Sequence, residues 1–555
     1  MTTKTEAQQP EMAPPAQAPG RETRKGLLWA LAVGVVWQAL WWDAPGAGLN
    51  ALLGTLALVA AWWALLRAAG PAPRGTQYLL ALTLVWALVP VWRAAPAVVS
   101  WTWLAWWVTL FVLLPRYFRG DALRATGWGL ARLVVAWLRA GLDALVVALH
   151  AGPEARQGVL ARWRALLLGL VLLVPIGGCF GLLLAWADPV FQQYWNRLFS
   201  LDLWLEGLGR ALLGLLFGGL WLSGLMAAWR SRSAPPADTP GPAWDRLPWA
   251  STAVVLGGLL MLFTVFLGIQ ARYLFGGSAA LQAFDLTYAE YARRGFGELV
   301  TAVVLFLGLL VLADALTARP DARTERGFRL LAWATLAAVA LMLASAAYRL
   351  GLYVTAFGLT TTRFQVAVFM FWLLVALALA AWTVRSPRPH RWPRVGLIPF
   401  FAFVLTLAVL SPPAWVVRVN IWRTQQGHDL DIRYLLNAGE WVPEVWVALE
   451  AVYRDPTALP ETTRQELGAA LACQALLAEE SASPADADWR AWSWGRWQGR
   501  LAYQRLTAQA REAFPVREYE EKDAYGYTWP RPQVQLDGRW RSCLDFVDPY
   551  YGFGD

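Results

Sequence analysis

Residues 287–298 read TYAEYARRGFGE and hold Glu290, Arg293, Arg294 and Glu298 at spacings that a helix would bring together. Glu290 stands i,i+3 from Arg293 and i,i+4 from Arg294, and Arg294 stands i,i+4 from Glu298, so opposite charges can pair along one face. Tyr288 and Tyr291 interleave with them, and Arg272 precedes them in QARYLFGG. Two chemistries fit: an ion-pair network that orients the following helix, or a polar pocket where an arginine grips an anionic group. A second polar group, Arg349, Tyr353 and Arg363, lies in YRLGLYVTAFGLTTTRF at 348–364. A third, Asn420, Arg423, Asp431 and Tyr434, lies in NIWRTQQGHDLDIRY at 420–434. Asp429, Asp431 and Asn420 offer oxygen to a divalent cation, but the same residue types cap helices, which is the commoner use.

Other chemistries are poorly supplied. The three histidines, His150, His390 and His428, form no HExxH, and no CxxC occurs, so neither a metal site nor a catalytic residue is assigned. No glycine loop ends in Gly-Lys-Ser/Thr, so no phosphate cradle of that kind is present. Gly177–Gly181 (GGCFG) has the outline of a nucleophile elbow around Cys179, yet it sits inside an apolar run where small residues serve helix packing. No cofactor is implied. Cys473 and Cys543 are the other two cysteines, and spacing leaves their pairing open.

The elements that must position these residues follow from composition. Of 555 residues, 57% are hydrophobic and 16% charged, against about one-quarter charged in an average soluble domain. The 36 tryptophans suit a membrane interface, where the indole ring is favoured. A membrane span needs about 20 apolar residues. Eleven runs qualify: 26–42, 49–66, 76–92, 97–114, 165–187, 207–229, 250–271, 296–317, 328–348, 364–384 and 395–415. If residues 1–25 form a disordered cytoplasmic leader, the cytoplasmic segments hold 25 basic residues and the external loops seven, as the positive-inside rule requires. The N-terminus is then cytoplasmic and the C-terminus extracytoplasmic. Residues 121–151 and 188–206 read as interfacial helices, the first facing lipid phosphates with its arginines.

After residue 415 the composition changes. Residues 416–555 hold 21 acidic and 15 basic residues, a net of −6 beneath the chain's overall +9. Helices are predicted over 431–438, 443–453, 461–479 and 487–512, with a short hairpin within 531–547. The fold class is therefore an all-α polytopic membrane protein with about eleven transmembrane helices and a mainly helical C-terminal extracytoplasmic domain. Its domains are 1–25, 26–415 and 416–555.

The motifs YLFGG…TYAEYARRGFGEL at 273–299, RLGLYVTAFGLTTTRF at 349–364, NIWR…LDIRYLL…WVPEV at 420–445 and DWRAWSWGR at 488–496 together resemble a bacterial family of polytopic membrane proteins, the 4153/4173 domain-of-unknown-function group. The resemblance extends over about 250–500, and the first four spans carry no such motif. It implies the bacterial cytoplasmic (inner) membrane and brings no catalytic residues.

Three functions compete. A non-enzymatic envelope sensor, regulator or scaffold suits the substantial tail and the missing catalytic motif. A transporter or permease suits the span count, but few ionisable residues lie at mid-membrane depth. A lipid-linked transferase suits the arginines near the external face and lacks a general base. The lipid bilayer is the partner that composition requires; the basic cytoplasmic face points further to an anionic lipid or a signalling protein. Nucleic acid is not a partner, because the positive charge follows topology.

Overall fold

The structure is a computed structural model that describes residues 22–69, 76–110, 249–275, 296–317, 319, 321–385, 392–478, 488–522 and 528–547. The described residues form 14 α-helices and one three-stranded sheet. The apolar runs become α1 (Glu22–Trp41), α2 (Leu49–Ala69), α3 (Thr76–Trp92), α4 (Pro96–Val108), α5 (Trp249–Phe275), α6 (Phe296–Leu316), α7 (Ala322–Phe357), α8 (Thr361–Arg385) and α9 (Trp392–Leu410). Helix is the expected outcome, because hydrocarbon offers no partner to a backbone amide and a helix satisfies its own.

Two of these helices, α7 and α8, are long and apolar enough to cross a membrane. Helix α9 continues through Ser411 into α10 (Pro412–Gln425) with a bend of 63°, and the pair is a third candidate span. Ser411 sits at φ 52° and two prolines open α10, so the helical hydrogen-bond ladder must break there. Eleven spans are not shown. Apolar helical stretches such as Thr252–Gly268 and Leu299–Asp314 have 10–17 residues, which at about 1.5 Å per residue fall short of a hydrocarbon core of about 30 Å. The expected spans 165–187 and 207–229 and the expected interfacial helices 121–151 and 188–206 lie outside the described residues.

The chain divides into two compact units: 1–39, 60–70 and 137–227, and 40–59, 71–136 and 228–555. The described part of the first unit is most of α1 and the C-terminal part of α2. The second unit is organised on α7. Phe328, Ala332, Thr335, Val339, Met342, Ala346 and Arg349 are buried along α7 at alternating spacings of four and three, the rhythm of a heptad seam. Leu256 of α5, Val303, Phe306 and Leu310 of α6, and Leu373 and Leu377 of α8 share this core. Asp321 caps the start of α7, its side chain accepting from the Thr324 amide at 2.7 Å. At that same end Asp314 accepts from Arg319 (2.8 Å) and from the Trp392 indole (2.6 Å), tying α6 to the start of α9.

Beyond α10 come α11 (Ile432–Trp441), α12 (Glu444–Arg454), α13 (Glu461–Ala478) and α14 (Trp494–Ala513), close to the predicted helices. The predicted helix over 487–512 is broken: Trp489–Ala491 make a 3-10 turn, and Ser493 caps α14 by accepting from the Arg496 amide. Gly499 allows α14 to approach α12 closely, since a Cβ there would collide with the Pro443 carbonyl. Glu450 accepts from Arg505 at 2.6 and 2.8 Å across the same pair of helices, which raises the arginine's already high pKa. The predicted hairpin is β2 (Thr528–Leu536) with β3 (Arg539–Ser542), turning at Asp537-Gly538 with φ of 51° and 73°. A further strand, β1 (Val516–Lys522), adds antiparallel to β2.

The question left by the cysteines is answered here. Cys473 of α13 and Cys543, just after β3, form a disulfide with a Cα–Cα distance of 5.4 Å. The bond closes 70 residues; a loop of that size is worth about 4 kcal/mol by the chain-entropy relation. Cys543→Ser should therefore lower the thermal midpoint of the tail and speed its cleavage in limited proteolysis. Unchanged protease resistance under reductant would show that the helical packing suffices.

Candidate functional site

Two of the three polar groups singled out in the sequence meet at one place, the turn between α7 and α8. Helix α7 ends at Gly358, whose φ of 80° suits glycine. Leu359 then points into the core of the tail, buried with Val416, Val417, Ile421, Leu435 and Leu436. Asn420, itself 8% exposed, holds that residue by both backbone groups: Oδ1 accepts from the Leu359 amide and Nδ2 donates to its carbonyl, each at 2.8 Å.

The last carbonyls of α7 lack helical partners, and cations are favoured where the helix dipole leaves negative charge. Two arginines occupy that place. Arg423 donates to the Thr355 carbonyl at 2.6 Å, and Arg363 donates to the Phe357 carbonyl at 3.2 Å and to that of Gly358. Arg363 also lies over the Tyr353 ring, 3.9 Å from its centroid. The Tyr434 hydroxyl accepts from the Thr361 amide at 3.0 Å, satisfying one of the unpaired donors at the start of α8. Asp431 caps α11 by accepting from the Tyr434 amide at 2.9 Å, so it serves the capping role rather than a cation. A Cβ on Gly358 would lie 2.7 Å from Asn420 Oδ1 and 2.8 Å from the Arg423 guanidinium.

The tail makes further contacts at two other turns. The Ala94 amide, between α3 and α4, donates to Glu444 Oε1 at 2.6 Å, while Arg93 donates to the Ala408 and Val409 carbonyls at the end of α9. Burial pushes the Arg93 pKa down, and the Glu444 charge opposes that shift. At the start of α2, Asn50 shapes its turn by accepting from the Gly48 and Ala51 amides. The Leu49 amide donates to the Trp492 carbonyl at 3.0 Å, and Arg490 donates to the Trp42 carbonyl at 2.7 Å. Asp488 pairs with Arg490, whose guanidinium holds the carboxyl below the usual carboxylate range.

The remaining sequence candidates fall elsewhere. Arg349 is buried at the end of the α7 seam, two turns before Gly358. Arg272 lies in the last turn of α5 and Glu298 in the first turn of α6. Tyr288, Glu290, Tyr291, Arg293 and Arg294 lie outside the described residues. Among the described residues no group of three or more His, Cys, Asp or Glu could hold a metal ion. Sequence reasoning passed over Asn50, Arg93, Glu444 and Arg490. Of these, Glu444 inside WVPEV and Arg490 inside DWRAWSWGR carried a signal as members of quoted motifs.

Asn420→Ala leaves two buried backbone groups unpaired, at about 1–3 kcal/mol each. It should release the tail from the α7–α8 turn, read as faster proteolysis near 411–431. Gly358→Ala should do the same through backbone strain and the clash with Asn420. The Asp488–Arg490 pair sets a pH dependence. Because folding lowers the Asp488 pKa, its contribution is complete above the ordinary carboxylate pKa and disappears as pH falls through the lowered one. Protection of the Leu49 amide, corrected for intrinsic exchange, should fall in that acid range in the native chain. In Asp488→Asn it should be weak throughout.

Comparison with known proteins gives a family match for most of the chain. The family described as Domain of unknown function (DUF4153) matches residues 26–441. The match begins earlier than the motifs suggested, taking in α1 to α4, and it stops at the end of α11, before α12 and the disulfide. No curated protein and no solved structure matches the chain. With three-quarters of its length inside that match, the chain belongs to the DUF4153 family of domains of unknown function.

Proposed function

We propose that this protein is a multi-pass protein of the bacterial cytoplasmic membrane, with about eleven spans, that serves the envelope as a non-enzymatic sensor, regulator or scaffold. In this reading 416–555 is an extracytoplasmic module seated on the external ends of the membrane helices. The observation that carries it is the use made of the polar clusters. Asn420, Arg423, Arg363 and Tyr434 are spent on backbone groups of the α7–α8 turn, where a catalytic or transport site would aim such groups at a ligand. The apolar helices α7 and α8 support a membrane location. The Cys473–Cys543 disulfide supports an oxidising compartment for the tail, since such bonds persist outside the cytosol. The bilayer is the first partner, with an anionic lipid or a signalling protein on the arginine-rich cytoplasmic face.

Two measurements test this. A reporter enzyme active only when exported, fused to the C-terminal end of the sequence, should be active; an inactive fusion reverses the topology. Native mass spectrometry of the detergent-purified protein should show phospholipid at most. A co-purified lipid-linked sugar that is lost in Arg294→Ala would replace this reading with a transferase.

A further inference from the structure

Trp489, Trp492, Trp494 and Trp497 expose 59%, 42%, 41% and 43% of their surface, although the chain that carries them is firmly held. The Trp492 carbonyl accepts from Leu49 at the start of α2, Arg490 donates to Trp42, and Gly495 packs beside the Ala94 amide between α3 and α4. These anchors fix the segment level with the ends of apolar helices, beside Trp92, the 44%-exposed last residue of α3. Helix α14 buries Gly495, Gly499, Ala502 and Leu506, while Trp494 and Trp497 lean together outward with ring centroids 4.9 Å apart. Small residues inside and indoles outside is the reverse of a helix surrounded by water. Charge follows the same division. Within a tail of net −6, residues 488–500 carry Arg490, Arg496 and Arg500 against one acid, Asp488.

We infer that residues 488–500 lie in the headgroup layer of the bilayer, as an in-plane anchor that seats the tail. An indole there buries its ring against acyl chains while its N–H finds headgroup oxygens, and the net positive charge of the segment suits an anionic lipid surface. The lipid surface is favoured over a protein partner because the four indoles are level with the ends of apolar helices and sit in a basic stretch of an acidic tail. The inference rests on the reading of α7 and α8 as membrane spans.

The test reconstitutes the full chain in phosphatidylcholine–phosphatidylglycerol vesicles after Cys179→Ser. An environment-sensitive fluorophore is placed on Trp492→Cys, on Trp497→Cys, or on Leu341→Cys at the middle of α7, where Leu341 is 60% exposed. Only variants that keep the native proteolysis pattern of the tail are scored. The two tail labels should be quenched severalfold more by headgroup-level spin-labelled lipid than by aqueous iodide, and the Leu341 label by an acyl-chain spin label. Tail labels quenched by iodide alone, or shielded from both quenchers, would overturn the anchor while a quenched Leu341 label upholds the spans. A Leu341 label open to iodide would overturn the spans, and the anchor with them.

Discussion

The side chain of Asn420 pairs both backbone groups of Leu359, and the seating of the tail on the α7–α8 turn depends on those two hydrogen bonds. A turn between two long helices carries unpaired carbonyls on one side and unpaired amides on the other. Here the carbonyls of α7 are satisfied by Arg363 close by and by Arg423 from 68 residues away, and the first amide of α8 by Tyr434 from 73 residues away. Once the polar groups are paired, Leu359 can enter the apolar core of the tail without stranding its backbone. The two cores, one strung along α7 and one built between α10 and α14, thus meet near this turn, where Val354 packs against both.

The bend at Ser411 makes this geometry possible. Helix α9 alone would carry the chain away along its own axis. The 63° turn into α10 instead lays Asn420 and Arg423 against the α7–α8 turn. The Pro412-Pro413 pair costs no hydrogen bonds at the first turn of α10, where amides are unpaired in any case. Arg93 recovers part of what the break exposes, since it donates to Ala408 and Val409 at the end of α9. Attachment at three separate turns ties the tail to several apolar helices at once rather than to a single one.

Much of this was legible from the chain, for identifiable reasons. Apolar runs had to be helical, and Asp537-Gly538 between alternating residues had to turn a hairpin. Strand β1 was missed because VREYEEK is mostly charged and follows directly on a helix, so its pattern shows neither period. The break at 489–493 was hidden because the tryptophans on either side keep helical spacing. The polar clusters were visible as residues and obscure as roles. Asn420 and Asp431 look the same whether they cap, clasp or bind an ion, and the deciding partner, Leu359, stands 61 residues from Asn420. Glu444 and Ala94 are 350 residues apart, beyond any local signal. Family resemblance reached the right group: the motifs at 273–299 and 349–364 and most of that at 420–445 lie inside the match, which also takes in α1 to α4, while DWRAWSWGR at 488–496 lies beyond it.

The contact between Arg490 and Trp42 spans 448 residues, so it can form only after all the chain between them has been made. Until translation passes Trp492, the Leu49 amide lacks the carbonyl it later uses. A ribosome that stops early would therefore leave apolar helices whose turns at Trp42 and Leu49 are still open to proteases. Closure of the turns at Trp42 and Leu49 thus distinguishes chains translated past Trp492 from shorter ones.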